Sequence, residues 1–193
     1  VGSKLINSES ATNNGAFICP MVLDSNLNIL YSDYTTGTTY QIRRYTNVGL
    51  TGTVVKTTLT NSLLTSQPSA FAVSKYTTAS TTLLVGTRAG KLYRLTNANT
   101  TATWTDLSSS AFVGTISDIE YGASNDEIFV TMSNYNVTSI WYTSNGTSAT
   151  PTWVNKEGNF PDIPVRCILQ NPLLPNTEVI VGSDLGVWYT NNF

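Results

Sequence analysis

Three stretches of this chain share one grammar: "TLLVGTRAGKLYRLT" from Thr82, "EIFVTMSNYNVTSIWYTS" from Glu127 and "EVIVGSDLGVWYTNN" from Glu178. Each is a β-rich run, a short turn and a second run that ends in aromatic and polar residues. A looser copy, "NILYSDYTTGTTYQIRRYT", begins at Asn28. Val85, Val130 and Val181 hold equivalent places, at a spacing of about 40–50 residues, the length of one four-stranded supersecondary unit. What precedes each run also corresponds: "FICPMVLDSNLN", "SAFAVSKYTTAST", "ISDIEYGASND" and "VRCILQNPLLPNT" each read as an apolar strand followed by a turn-rich hinge. Two copies then reach a tryptophan, in "TATWTDL" at Trp104 and "TPTWVNK" at Trp153.

A single unit of four short strands has two faces to bury and cannot bury them alone. Stacking units around an axis covers those faces and leaves only short edges. The chain is therefore expected to be all-β, a β-propeller-like array of four-stranded antiparallel blades in one domain over residues 1–193. The blades fall at about 15–67, 68–112 and 113–161, with an incomplete one at 162–193. The dipeptides Ser32–Asp33, Ala89–Gly90 and Leu185–Gly186 are placed at tight turns between second and third strands. Gly90 and Gly186 suit positive-φ geometry there.

Composition supports sheets over helices. Polarity comes from Thr, Ser and Asn rather than from charge, with only 11% charged residues, a net charge of −2 and a pI near 5.0. Thr and Tyr favour pleated, half-buried surfaces. No nucleic-acid partner is expected, because phosphate binding needs a concentrated basic face. The one adjacent basic pair, Arg43–Arg44, reads as a solvated strand end. No stretch of about 18 apolar residues offers a membrane span. The chain has no His, which removes the commonest metal ligand and general base; no metal site and no cofactor are expected. "DSNLN" from Asp24 is too poor in carboxylates for a calcium loop. Cys19 and Cys167 both fall in β-like apolar runs and are expected as buried free thiols rather than a disulfide.

The stretches "GAFICPMVLDSNLNILYS" and "FPDIPVRCILQNPLLPNTEVIVGSDLGVWYTNN" resemble repeats of the BNR/Asp-box propeller group, which includes sialidase-like, sortilin-like and xyloglucanase-like propellers. "YTSNGTSATPTW", Tyr142 to Trp153, keeps the Asn-Gly turn and the Trp of that pattern with an insertion. "RLTNANTTATW", Arg94 to Trp104, keeps Asn97, Asn99 and the Trp without the Gly. The resemblance implies an exported bacterial protein, extracellular or at the cell surface. It would be a non-catalytic module that binds a glycan or protein through its blade turns, a glycoside hydrolase acting on polysaccharide, or a self-assembling unit completed by a second copy.

Candidate residues follow from these alternatives. Asp118 in "ISDIEY" and Asp162 in "FPDIPV" sit before equivalent first strands. As a pair they would be the two carboxylates of a glycosidase; singly they would cap turns or exposed backbone. Arg43, Arg44, Arg88, Arg94 and Arg166 offer no assignable sialidase triad. Trp104 and Trp153, with Trp141, Trp188, Tyr93, Tyr142 and Tyr189, are candidate sugar-stacking platforms. Their recurrence at matching places is also what packing between blades produces. Asn99, Asn136 and Asn145 begin sequons of the kind chance supplies in an Asn/Thr-rich chain. The final unit lacks its last strand. Three sources are expected for it: "KLI" in the N-terminal segment, a second copy, or sequence outside these 193 residues, the last being favoured because Phe193 stands where the turn into a fourth strand should begin.

Overall fold

The computed structural model describes residues 3, 5, 6, 14–49, 51–175 and 177–193. Its strands form four antiparallel sheets in chain order. Sheet 1 holds β1 (Met21–Asp24), β2 (Ile29–Asp33), β3 (Ile42–Thr46) and β4 (Val55–Leu59). Sheet 2 holds β5 (Pro68–Val73), β6 (Leu83–Thr87), β7 (Leu92–Thr96) and β8 (Thr103–Asp106). Sheet 3 holds β9 (Ile116–Tyr121), β10 (Ile128–Met132), β11 (Ile140–Thr143) and β12 (Val154–Asn155). Sheet 4 has three strands, β13 (Val165–Gln170), β14 (Val179–Ser183) and β15 (Gly186–Thr190). The all-β, propeller-like array of three full blades and a partial one is thus the observed architecture.

Why the apolar runs differ follows from where each strand lies. β6 (LLVGT) and β10 (IFVTM) are buried at every position because each has a sheet on both faces. β5 alternates buried and half-buried residues with the period of two of a hub strand. β15 carries an equally apolar sequence, yet four of its five residues are exposed, because it closes the array. The first strands β1, β5, β9 and β13 stand side by side and form the inner rim. Apolar layers fill the joints: Ile29, Tyr31 and Ile42 against Leu83, Val85 and Leu95 between sheets 1 and 2, and Ala70, Ala72 and Leu84 against Ile119, Val130 and Trp141 between sheets 2 and 3. Phe129 and Ile140 meet Val165, Val179 and Val181 between sheets 3 and 4.

A bulge recurs at the inner rim. The ladders β5–β6, β9–β10 and β13–β14 each shift register near their start, leaving Ser69, Ser117 and Arg166 as the extra residue. Ser69 donates its hydroxyl to the Ile116 carbonyl at 2.6 Å, and Ser117 donates to that of Val165 at 2.7 Å. The bulge thus joins each hub strand to the next one. At the open end Arg166 turns instead to Asp184, with Nε and Nη2 donating at 2.7 and 3.0 Å.

Several expectations change. Gly90 lies at a turn with φ of 71°, and Gly186, with φ of 115°, is the first residue of β15 directly after the Asp184–Leu185 turn, but Ser32–Asp33 ends β2 and is not a turn. Buried Asp33 instead organises the following loop, accepting from the Thr35 N–H and hydroxyl, the Ala16 N–H and Gln67 Nε2. Arg43–Arg44 is no solvated strand end: both lie within β3, Arg43 stacks 3.6 Å above the Tyr34 ring, and Arg44 reaches into sheet 2. Both cysteines are free, but Cys19 is half-buried and Cys167 exposed, since the outward face of β13 meets no further sheet. Of "KLI", Lys4 lies outside the described residues, and Leu5 and Ile6 belong to no strand. No helix of the described residues is long and apolar enough to cross a membrane.

Candidate functional site

The two candidate carboxylates are not equivalent and serve different donors. Asp118 lies inside β9, not before it, opposite Thr131. Its Oδ1 accepts from the Ile119 N–H and its Oδ2 from the Ile168 N–H of β13, both at 2.9 Å. Burial pushes its carboxyl above the usual carboxylate range, and the two N–H donors pull it back. Asp162 is exposed in the segment entering β13, where Oδ1 accepts from the Asn136 N–H at 2.6 Å. Each carboxylate therefore caps backbone.

Glu120 is the carboxylate that the fold sets beside Asp118. The alternation of "DIE" along β9 puts both on the side facing sheet 4, a signal legible in the sequence once the strand is assigned. Burial raises the Glu120 carboxyl, the Asp118 charge raises it further, and Lys75 opposes both. Glu120 borders a cavity of about 220 Å³ with Lys75, Tyr76 and Gln170. Among the described residues no cluster of His, Cys, Asp or Glu is arranged to hold a metal ion.

Of the four candidate tryptophans, Trp104, Trp141 and Trp153 are packed between sheets, whereas Trp188 is exposed. Trp104 meets Tyr93 edge-on at 6.0 Å. Trp153 meets Phe112 at 4.9 Å and donates its indole N–H to the Leu107 carbonyl at 2.8 Å. Phe112 also carries Trp141 at 5.6 Å. These aromatic groups hold the array together.

One open apolar surface lies on sheet 4; Phe17, Ile18, Met21, Leu23 and Val55, in sheet 1 and the segment before it, are exposed as well. Leu169, Ile180 and Tyr189 stand opposite one another across the three strands of sheet 4, and Cys167, Gly182 and Val187 form the neighbouring row on the same face. Leu169 is 54% exposed, Ile180 39%, Tyr189 59% and Val187 78%. The same two rows in sheet 2 are Ala72–Leu84–Arg94 and Ala70–Gly86–Leu92, and sheet 3 covers them. On the other side of sheet 4, a cavity of about 430 Å³ opens between the segment after β12 and β15, with Lys156, Phe160, Trp188 and Phe193 in its walls.

No known family matches the sequence, and no curated protein matches it. Solved structures do match in shape. The chain is similar to the β-propeller domain of Cps50 (Swd1) from Myceliophteria thermophila, with a TM-score of 0.60 and 8% identity over 93% of this chain and 51% of that one. It is similar to a chain of the COPII outer coat vertex on membranes, with a TM-score of 0.56 and 9% identity over 93% of this chain and 47% of that one. A chain of the COPII coat assembled on membranes matches with a TM-score of 0.56 and 9% identity, over 93% of this chain and 26% of that one. The chain thus spans about half the length of the first two.

At such identities the likeness establishes the fold alone. It corrects the BNR/Asp-box resemblance, for the similar structures are propellers of the WD40 type. The physical reason is visible in "YTSNGTSATPTW". Asn145 Oδ1 accepts from the Thr143 hydroxyl and the Thr152 N–H, both at 2.8 Å, folding a long loop around one amide. Trp153 beyond it serves the joint between sheets 2 and 3. An Asn-Gly turn and a following Trp therefore occur here for reasons of packing that any four-stranded blade shares.

Proposed function

We propose that this chain is a non-catalytic scaffold that binds a protein partner through the open face of sheet 4. The observation that supports this reading is the pair of rows Leu169–Ile180–Tyr189 and Cys167–Gly182–Val187. Aligned apolar groups on a flat sheet, with Arg166 and Asp184 paired at the edge, have the make-up of an interface core with a polar rim. Hydrolysis draws no support from Asp118 and Asp162, which are engaged with separate backbone donors. Glycan stacking draws none from Trp104 and Trp153, which are packed between sheets.

A displayed-peptide selection on the immobilised chain tests the reading, with parallel binding to a glycan panel. Selected peptides are expected to bind the wild type and to lose tenfold or more in affinity with Ile180→Asp/Val187→Asp, a variant whose circular dichroism should be unchanged. Binders indifferent to that variant, glycan binding without peptide binding, or polysaccharide hydrolysis abolished by Asp118→Asn would each overturn it.

A further inference from the structure

The bulges at the inner rim align the hub strands residue by residue. Ser69, Ser117 and Arg166 are equivalent. The next residue is then Ala70, Asp118 or Cys167, and the third beyond the bulge is Ala72, Glu120 or Leu169. At the joint of sheets 2 and 3 both places hold alanine, within an apolar layer. At the joint of sheets 3 and 4 both places hold a carboxylate. Asp118 has a structural use there, accepting from the Ile119 and Ile168 N–H groups. Glu120 has none, for among the described residues nothing donates a hydrogen bond to its carboxylate.

Glu120 stands instead in the wall of the cavity of about 220 Å³ at the ends of three hub strands. Its other walls include Lys75 and Tyr76 after β5, Gln170 at the end of β13, and Pro172 and Pro175 in the hinge that follows. Gln170 is buried, and its Nε2 donates to the Pro175 carbonyl at 2.7 Å, which leaves its Oε1 as an acceptor. The Tyr76 hydroxyl donates to the Gly122 carbonyl at 2.5 Å and so fixes the ring. Lys75 Nζ lies 5.3 Å from the centre of that ring and makes no ion pair with Glu120. Burial and the Asp118 charge both disfavour the Glu120 carboxylate, and exposed Lys75 opposes them only from the rim.

Two carboxylates against one exposed lysine leave the cavity short of positive charge and of donors. A half-buried carboxylate in that state is satisfied by a cation that brings N–H groups with it. A guanidinium does this best, because its planar fork serves two acceptors at once and its face stacks on an aromatic ring. Size limits the ligand further: pockets for drug-sized molecules run to about 300–1,000 Å³, so this one takes a single such group.

We propose that the cavity is a binding site for a guanidinium group, which donates to Glu120 and to Gln170 Oε1, stacks on Tyr76 and displaces Lys75 from that ring. Leu173 and Leu174, between the two wall prolines, are 85% and 49% exposed. They offer apolar contact to a polypeptide that carries the group as an arginine side chain, whereas a free organic cation would leave them untouched. The site is built from hub strands and the loops after them, and it stands without the Ile180 face of sheet 4.

The test is an amide NMR titration of the 193-residue chain with ethylguanidine, with a capped Leu-Arg-Leu peptide, and with the same peptide carrying neutral citrulline for arginine. Saturable binding in the millimolar range is expected for both guanidinium probes, with shifts concentrated at residues 120–123 and 170–175. The citrulline peptide should bind tenfold or more weakly. Glu120→Gln keeps the shape of the side chain and should weaken binding tenfold or more, as loss of a charged hydrogen-bond partner does. Lys75→Ala removes the competing cation and should tighten binding about twofold to fivefold, the worth of an exposed charge. Ile180→Asp should leave it unchanged. Tighter binding of the peptide than of ethylguanidine assigns the group to a polypeptide and equal binding assigns it to a free cation; both support the site. The proposal is overturned by absent saturation at millimolar probe, by equal binding of the citrulline peptide, by indifference to Glu120→Gln, or by weaker binding in Lys75→Ala.

Discussion

Gly86 and Gly182 occupy the same place in the repeat, opposite Ala70 in β5 and Cys167 in β13, and differ only in what lies above them. A Cβ on Gly86 would sit 2.5 Å from Ile116 Cγ2 and 2.9 Å from Ile116 Cβ, because sheet 3 packs directly on that backbone. On Gly182 it would meet Cys167 Sγ at 2.7 Å, a terminal atom on an exposed side chain that is free to rotate. Gly86→Ala is therefore expected to destabilise by about 1–3 kcal/mol, the usual cost of overpacking a joint. Gly182→Ala should stay within roughly 0.5 kcal/mol of wild type, as exposed substitutions do. Urea denaturation of the two variants measures both. Equal effects would mean that the rows around Gly182 are covered as those around Gly86 are.

Between sheets, the third strands act through arginine. From β3, Arg44 Nη1 donates to the Ala98 and Thr100 carbonyls at 2.7 Å each. From β7, Arg94 Nη1 donates in the same way to the Gly146 and Ser148 carbonyls. Each guanidinium thus holds the loop between the third and fourth strands of the next sheet. In β11 this position is Tyr142, which instead packs against Phe193 at 6.0 Å. Loss of a charged donor that satisfies loop carbonyls costs roughly 1.5–3 kcal/mol. Arg94→Met, which keeps the apolar stem, is expected to show that loss together with faster hydrogen exchange confined to residues 144–152. An unchanged exchange pattern would remove the clamp from this account. "YRLT" and "RRYT" display both arginines in the sequence, but nothing local distinguishes a solvated arginine from one that reaches into a neighbouring sheet.

For the molecule as a whole, the joint of sheets 3 and 4 makes stability depend on pH. Asp118 and Glu120 both have folded-state pKa values above their ordinary 3.8 and 4.5. The folded chain therefore binds these protons more readily than the unfolded chain. Stability falls as pH rises from those ordinary values through the raised ones, and the loss is complete above them. Glu120→Gln should remove its share, so the wild type should lose ground to the variant in urea midpoints as pH rises above the ordinary 4.5. A gap independent of pH would contradict the burial of Glu120. The four-unit repeat, the all-β class and the positive-φ glycines at 90 and 186 were legible in the residues, because β-propensity, period-two burial and turn chemistry act over a few neighbours. The bulged serines, the arginine clamps and the cavity beside Trp188 were not. Each depends on which strand of one sheet meets which strand of the next, a contact between residues some fifty positions apart. Even the propeller type was misassigned, since an Asn-Gly turn and a tryptophan satisfy the same local geometry in unrelated blades. What the sequence by itself determined is the repeating unit, written in local propensities. The tertiary structure alone decided which faces are covered and which, at the two ends of the array, stay open, because burial is a property of the neighbour and not of the strand.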